Sequence, residues 1–270
     1  MLTLLTATGS RPDAWALCER WMARQTYLGE VRWVIVDDGP IPQPITFARE
    51  GWTLDVIRPE PLWTGDNTQA RNLMAGMAVI KEDERVVFIE DDDWYAPDWL
   101  EFVAAKLALA ELVGEANARY YNLKTSVFKE MGNTLHSSLC STAIRGRALS
   151  TFRSVCRKEI QFIDHLLWQA HSNSHLFSGQ RVLGIKGLPG RNGIGIGHDP
   201  KFRGETDQDG AKLRDWIGED ADAYLTEGKQ NDASKQESPT YKRGDRRAAR
   251  VGSGAPAPQA GHGRLATDES

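Results

Sequence analysis

Read for its apolar and polar positions, the chain opens on a threonine-rich apolar run, Leu2 to Ala7, that predicts a first strand. The loop Thr8-Gly9-Ser10-Arg11-Pro12 follows, and Asp13 caps a predicted helix from Ala14 to Arg24 with Leu17, Trp21 and Met22 on its apolar face. A second strand, Val31 to Val36, stops at Asp37-Asp38-Gly39, where glycine permits a tight turn. Proline interrupts Ile41 to Arg49, which predicts irregular chain, and Leu54 to Arg58 predicts a short third strand. Helical spacing of Ala70, Leu73, Met74 and Met77 predicts a helix from Thr68 to Lys81. The fourth strand starts at Arg85, is apolar through Ile89, and breaks into Glu90, Asp91, Asp92 and Asp93. Pro97 and Asp98 then open a helix predicted to run to about Gly114.

The second half patterns differently. Tyr120 to Phe128 and Ser138 to Ile144 predict strands that extend the sheet as a mixed edge, Phe162 to Trp168 a helical run, and Val182 to Ile185 another strand. Gly187, Gly190, Gly193, Gly195 and Gly197 then make a glycine-rich segment suited to a lid over 187–203. Trp216, Ala223, Tyr224 and Leu225 predict a last short helix. Beyond Gly228 there are too few large apolar residues to order the chain, so 229–270 is expected to be a disordered tail, basic at Lys242, Arg243, Arg246, Arg247 and Arg250. Strands alternating with helices predict an α/β fold, a mostly parallel or mixed central sheet flanked by helices. A single domain over 1–228 is expected, with a ligand-binding half at 1–100 and a second half at 101–228.

Composition narrows the class. With 270 residues, 40% hydrophobic and 26% charged, the chain can bury one large α/β core. Its net charge of -4 gives no global attraction to nucleic acid or anionic lipid. Cys18, Cys140 and Cys156 stand far apart, with no spacing of a disulfide framework or zinc knuckle, which fits a reducing, cytoplasmic setting. Gly9, Ser10, Arg11 and Pro12 interrupt the N-terminal apolar run before it could serve as a signal peptide. No stretch approaches the ~20 apolar residues of a membrane span, so no membrane insertion is expected. Neither a dinucleotide fingerprint nor G-x-x-x-x-G-K-[ST] is present, which removes support for NAD and P-loop chemistry.

The acid cluster carries the chemistry. Four adjacent carboxylates at the carboxyl end of a buried strand repel one another and call for a cation, and clustered oxygen ligands suit Mg²⁺ or Mn²⁺. The right-handed crossover rule places Asp37 and Asp38 on the same sheet edge, so both acid groups face one crevice. Asp164 lies in an apolar helical run, where an acid is costly unless used or paired. Capping a helix that begins at His165 is its alternative role, and Glu159 is the substitute candidate.

Together these segments resemble nucleotide-sugar glycosyltransferases of the GT-A fold, most closely the family 2 type. The resemblance rests on Asp91, Asp92, Tyr95, Pro97, Asp98 and Leu100, with Glu90 where many members carry the first aspartate. It extends to Thr6, Thr8 and Arg11 at the first strand end, to the Val36-Asp37-Asp38-Gly39 segment, and to Ala70-Arg71-Asn72 at a helix start. It implies a nucleoside-diphosphate sugar donor, a UDP-sugar, bound by Thr6, Thr8, Arg11, Asp37, Asp38, Asn67, Arg71 and Asp91. It implies Mn²⁺ or Mg²⁺ held by Asp92, His198 and Glu90, diphosphate contacts from Lys201 and Arg203, and Asp164 as general base of an inverting transfer. His136, His165, His171 and His175 show no partner spacing. Two alternatives stay open, a nucleotidyltransferase of sugar phosphates and a sugar-nucleotide-binding module without catalysis. A glycan, a protein, a small metabolite or a hydroxylated base in DNA could be the acceptor, the last resting on the basic tail.

Overall fold

Buried apolar runs place three parallel strands at the centre of the main sheet, β1 (Leu2–Thr8), β2 (Val31–Asp37) and β4 (Arg85–Phe88), with the half-exposed β3 (Trp52–Ile57) parallel to β2 at the edge. The computed structural model describes residues 1–225 except 66, 159 and 160. The short strand β5 (Trp94–Tyr95) follows, then β6 (Leu112–Glu115), β7 (Arg119–Asn122), β8 (Val127–Glu130), β9 (Thr142–Arg145), β10 (Ser174–Phe177), β11 (Val182–Lys186) and β12 (Glu205–Thr206). The helices are α1 (Pro12–Ala23), α2 (Gln69–Met77), α3 (Trp99–Lys106), α4 (Arg147–Cys156), α5 (Ile163–Ala170) and α6 (Ala211–Ile217). The main sheet has the order β10-β6-β9-β4-β1-β2-β3, and β9 alone runs against its neighbours β4 and β6. A second sheet, β12-β8-β7-β11-β5, lies beyond the acid cluster. The fold is thus mixed α/β, a central mixed sheet flanked by helices.

The period of two along β1, β2 and β4 sorts side chains to two cores. Leu4, Trp33, Ile35 and Val87 pack with Trp15 and Trp21 of α1, while Leu5, Val34, Val36 and Phe88 pack with Leu73 of α2 and Phe152 of α4. Each large apolar side chain so buried is worth about 1.5–3 kcal/mol. Helix α2 lies flush on the sheet because Gly76 has no Cβ to strike Leu5.

Several sequence expectations need correction. Asp13 sits in the first turn of α1 and the capping position is Arg11. No helix joins β2 to β3, where the proline-interrupted chain is irregular as expected. Helix α2 stops at Met77, short of Lys81. Helix α3 stops at Lys106, and Leu112–Glu115, expected to close that helix, pairs instead with β9 and β10. Long-range pairing overrides the apolar run that reads as helix. Tyr120 to Phe128 is two strands, because Asn122 Oδ1 accepts the Lys124 and Thr125 amides and Ser126 adopts φ +51°. Ser138 to Ile144 begins with a 3₁₀ turn, Leu139–Ser141, before β9. Strands β5, β10 and β12 and helix α4 have no counterpart among the elements the sequence pattern predicts. The expected tail and Glu159 lie outside the described residues. Among those described, no helix is long and apolar enough to cross a membrane, and Cys18, Cys140 and Cys156 are free and buried.

Candidate functional site

Because β1 lies between β2 and β4 and parallel to both, their carboxyl ends open on one sheet edge. The chain leaving β4 puts Asp91, Asp92 and Asp93 at 1%, 3% and 0% exposure, so these acids depend on internal partners. Thr8 donates its hydroxyl to Asp91 Oδ2 at 2.7 Å. Arg11, in the loop after β1, donates from Nη1 to Asp91 Oδ1 and from Nη2 to Asp92 Oδ2, both at 2.7 Å. A planar guanidinium presents two separate nitrogens, one to each carboxylate, in a fixed fork that an ammonium does not offer. His198 Nε2 lies 3.4 Å from Asp92 Oδ2. Asp93 Oδ1 accepts the Ile185 amide at 2.8 Å and Lys186 Nζ at 2.9 Å. Glu90, at the cavity wall, accepts Gln69 Nε2 at 3.2 Å.

Burial and charge divide the acids. Burial pushes the Asp91 carboxyl up to about 6, with Arg11 opposing and Asp92 adding to the rise. Burial works the same way on Asp92, but Arg11, Lys186 and His198 overcome it and hold that carboxyl well below its ordinary value. Burial raises Asp93 well above it, against the pull of Lys186. Burial disfavours charge on Lys186 itself, yet Asp92, Asp93 and Glu90 keep its ammonium form strongly favoured.

Above these groups lies a cavity of about 450 Å³, within the range of small-molecule sites. Thr8, Arg11, Glu90, Asp91, Asp92, Asp164 and His198, all singled out from sequence, line it together. Gly193, Gly195 and Ile196 of the glycine-rich segment form one wall. The segment is tied down there by the Arg191 amide donating to the Ser10 carbonyl at 3.2 Å, and by Gln161 Nε2 donating to the Ile194 carbonyl at 2.7 Å. Asp164, at the start of α5, accepts the His165 amide at 2.9 Å, and burial raises its carboxyl above the ordinary value.

Other expected residues stand elsewhere. Thr6 is fully buried, and its hydroxyl accepts Trp33 Nε1 at 2.9 Å, so it serves the core. Asp37 shapes the turn after β2, accepting the Gly39 and Gln43 amides at 3.0 and 2.8 Å and pairing with Arg58. Asp38 ties three segments at the cavity margin, accepting the Thr68 hydroxyl and pairing with Arg191 at 2.9 Å. Asn67 is exposed, Arg71 donates to the Thr64 carbonyl at 3.0 Å, and neither lines the cavity. Lys201 and Arg203 are exposed outside it, Arg203 donating to the Pro200 carbonyl at 2.8 Å.

Sequence reading missed Lys186, Gln69, Arg191 and the pair His136 and His165, whose rings meet edge to face at 5.1 Å in the cavity wall. Only Lys186 left a trace, as a charged residue closing an apolar strand. Among the described residues, two groupings could hold a cation. Glu90, Asp92 and His198 face the cavity, whereas Glu90, Asp93 and Cys140 have ligand atoms within 4.8 Å of one another deeper in the cluster.

No protein-family model and no curated protein matches the chain. Among solved structures, S. aureus TarS is similar over 68% of this chain and 37% of that one, with 15% identity and a TM-score of 0.48. TarS 1-349 in complex with UDP is similar over 68% of this chain and 60% of that one, with 15% identity and a TM-score of 0.46. TarS 1-349 in complex with UDP-GlcNAc is similar over 88% of this chain and 76% of that one, with 13% identity and a TM-score of 0.46. The chain therefore spans 37% of TarS and 60% of the shorter UDP-bound form. At this level of likeness, function rests on the chain's own residues.

Proposed function

We propose that the chain is a GT-A-type, family 2-like glycosyltransferase. It moves a sugar from a nucleoside-diphosphate sugar, a UDP-sugar, to an acceptor hydroxyl with inversion and with the help of a divalent metal. The observation that carries this reading is the joining of Asp91 and Asp92 by Arg11 at the ends of β1 and β4, with Asp164 lining the same cavity.

The residues present fit a divalent ion. The carboxyl groups of Glu90, Asp91, Asp92 and Asp93 outnumber the permanent cations Arg11 and Lys186 by two. Asp92 and Glu90, with His198, would hold the ion at the cavity face, an oxygen-rich set suited to Mn²⁺ or Mg²⁺. When bound, the ion supplies neutralisation of charge on the leaving diphosphate. Arg11 and Thr8 fix the orientation of Asp91 and Asp92 before any ligand arrives, so little reorganisation is required. The glycine-rich wall keeps bulk water from that side of the cavity.

Asp164 takes the proton of the acceptor hydroxyl as the new bond forms between the acceptor oxygen and the anomeric carbon. The bond from that carbon to the diphosphate oxygen breaks with its electron pair on the oxygen, and attack from the opposite face inverts the centre. Incubation with labelled UDP-sugars or with nucleoside triphosphate and sugar phosphate, with Mn²⁺, tests the proposal. Release of UDP, including slow donor hydrolysis without acceptor, is expected. Pyrophosphate release would assign a nucleotidyltransferase, and no turnover of either substrate would assign a binding module.

A further inference from the structure

Lys186 closes β11 only 4% exposed, an unusual place for an ammonium. Its stem runs under Gly197, where an added Cβ would stand 2.7 Å from Lys186 Cγ, and its Nζ lies 5.5 Å from the centre of the Tyr120 ring. The ammonium reaches Asp93 Oδ1 at 2.9 Å and stands 3.8 Å from both Asp92 Oδ2 and Glu90 Oε2. Two of these acids, Glu90 and Asp93, also belong with Cys140 to the group whose ligand atoms lie within 4.8 Å of one another. Asp93, a member of that inner group, keeps its Oδ2 buried without a hydrogen-bond partner.

We propose that Lys186 is a resident cation that takes the place of a metal ion in the inner half of the acid cluster. Its single charge offsets one of the carboxylates Glu90 and Asp93 and keeps Glu90, Asp93 and Cys140 from loading an ion. A divalent cation is thereby confined to the outer, cavity-facing carboxylates. The physical basis is that a compact point charge on a flexible stem can sit among several carboxylates at once. A divalent ion entering the same space would meet that charge at close range in a poorly solvated position, so the two exclude each other. Removing the lysine should uncover a latent site whose thiol favours a soft metal. This inference stands on the geometry of the cluster, whether or not the cavity transfers sugar.

Cd²⁺ is the probe, because a cadmium–thiolate bond gives an ultraviolet charge-transfer band. Titration of the full wild-type chain should produce no band that depends on Cys140. Lys186→Met should produce one, with Cd²⁺ binding at least tenfold tighter by calorimetry, and the added substitution Cys140→Ser should abolish it. If Lys186→Met folds only when Cd²⁺ or Mn²⁺ is supplied, as followed by circular dichroism, the ion has replaced the ammonium and the proposal is supported. A wild-type band lost in Cys140→Ser overturns it. So does a Lys186→Met chain that folds without taking the ion, or one that stays unfolded with the ion present.

Discussion

Arg11 donates from Nη2 to Asp92 Oδ2 at 2.7 Å across 81 residues of sequence, and its other terminal nitrogen holds Asp91 at the same distance. One side chain, 11% exposed, thereby joins the loop after the first strand to the acids after the fourth.

That junction predicts unequal effects of two substitutions. Arg11→Met leaves two buried carboxylates without their shared partner and is expected to lower stability by about 3 kcal/mol. Arg11→Lys should recover less than half of the loss, since a single Nζ cannot reproduce the two separate 2.7 Å hydrogen bonds made by Nη1 and Nη2. Urea unfolding midpoints decide the matter, and a lysine variant as stable as wild type would show that the fork geometry is not used.

Asp92 is expected to be the principal metal ligand. Asp92→Asn preserves the shape and should lower Mn²⁺ affinity at least tenfold by calorimetry, with turnover reduced about 10²-fold or more. The far-ultraviolet dichroism should remain that of wild type. Unchanged Mn²⁺ affinity would remove Asp92 from the metal site.

Asp164 combines a functional and a stability consequence. Burial raises its carboxyl above the ordinary value, so a base that acts when ionised should give kcat/KM an acid limb above the usual aspartate range. Because the folded-state value exceeds the unfolded one, its contribution to stability is fully present below the unfolded value of about 3.9 and is lost as pH rises through the folded one. Asp164→Asn, which can still accept the His165 amide, should therefore be inactive yet at least as stable as wild type at pH values above that window. The two proteins should converge as the carboxyl is protonated. An active variant, or one much less stable at neutral pH, would make Asp164 a structural residue.

Phe162, the residue before α5, holds φ at +65°, is 54% exposed and lines the cavity. That backbone region costs a non-glycine residue about 1–2 kcal/mol, while glycine adds about 0.4–1 kcal/mol of unfolded-chain freedom. Phe162→Gly relieves that strain but also gives up the covered half of the side chain, worth about 0.7–1.4 kcal/mol, so the opposed terms should leave stability within about 1 kcal/mol of wild type. A loss well beyond that in urea unfolding would show that the ring packs more firmly than its exposure implies.

Much of the site was legible because it is written locally. Thr8, Arg11 and Asp91 each follow the end of an apolar strand, and parallel strands joined by right-handed crossovers must bring such ends together. Asp37 and Asp38 read as equivalent in sequence, yet one is consumed by the turn it forms and the other bridges to Thr68 and Arg191 at the cavity margin. Such a division depends on which backbone amides and cations happen to surround each carboxylate.

The core strands and the abrupt acid stop after Ile89 are legible in the residue order alone, since both follow from side-chain period and from the cost of burying charge. That Leu112–Glu115 is a strand, that β9 runs against its neighbours, and that Lys186 meets Asp93 across 93 residues emerges only on folding. Those outcomes depend on long-range pairing, where partners far along the chain supply the hydrogen bonds and counter-charges that no local pattern specifies.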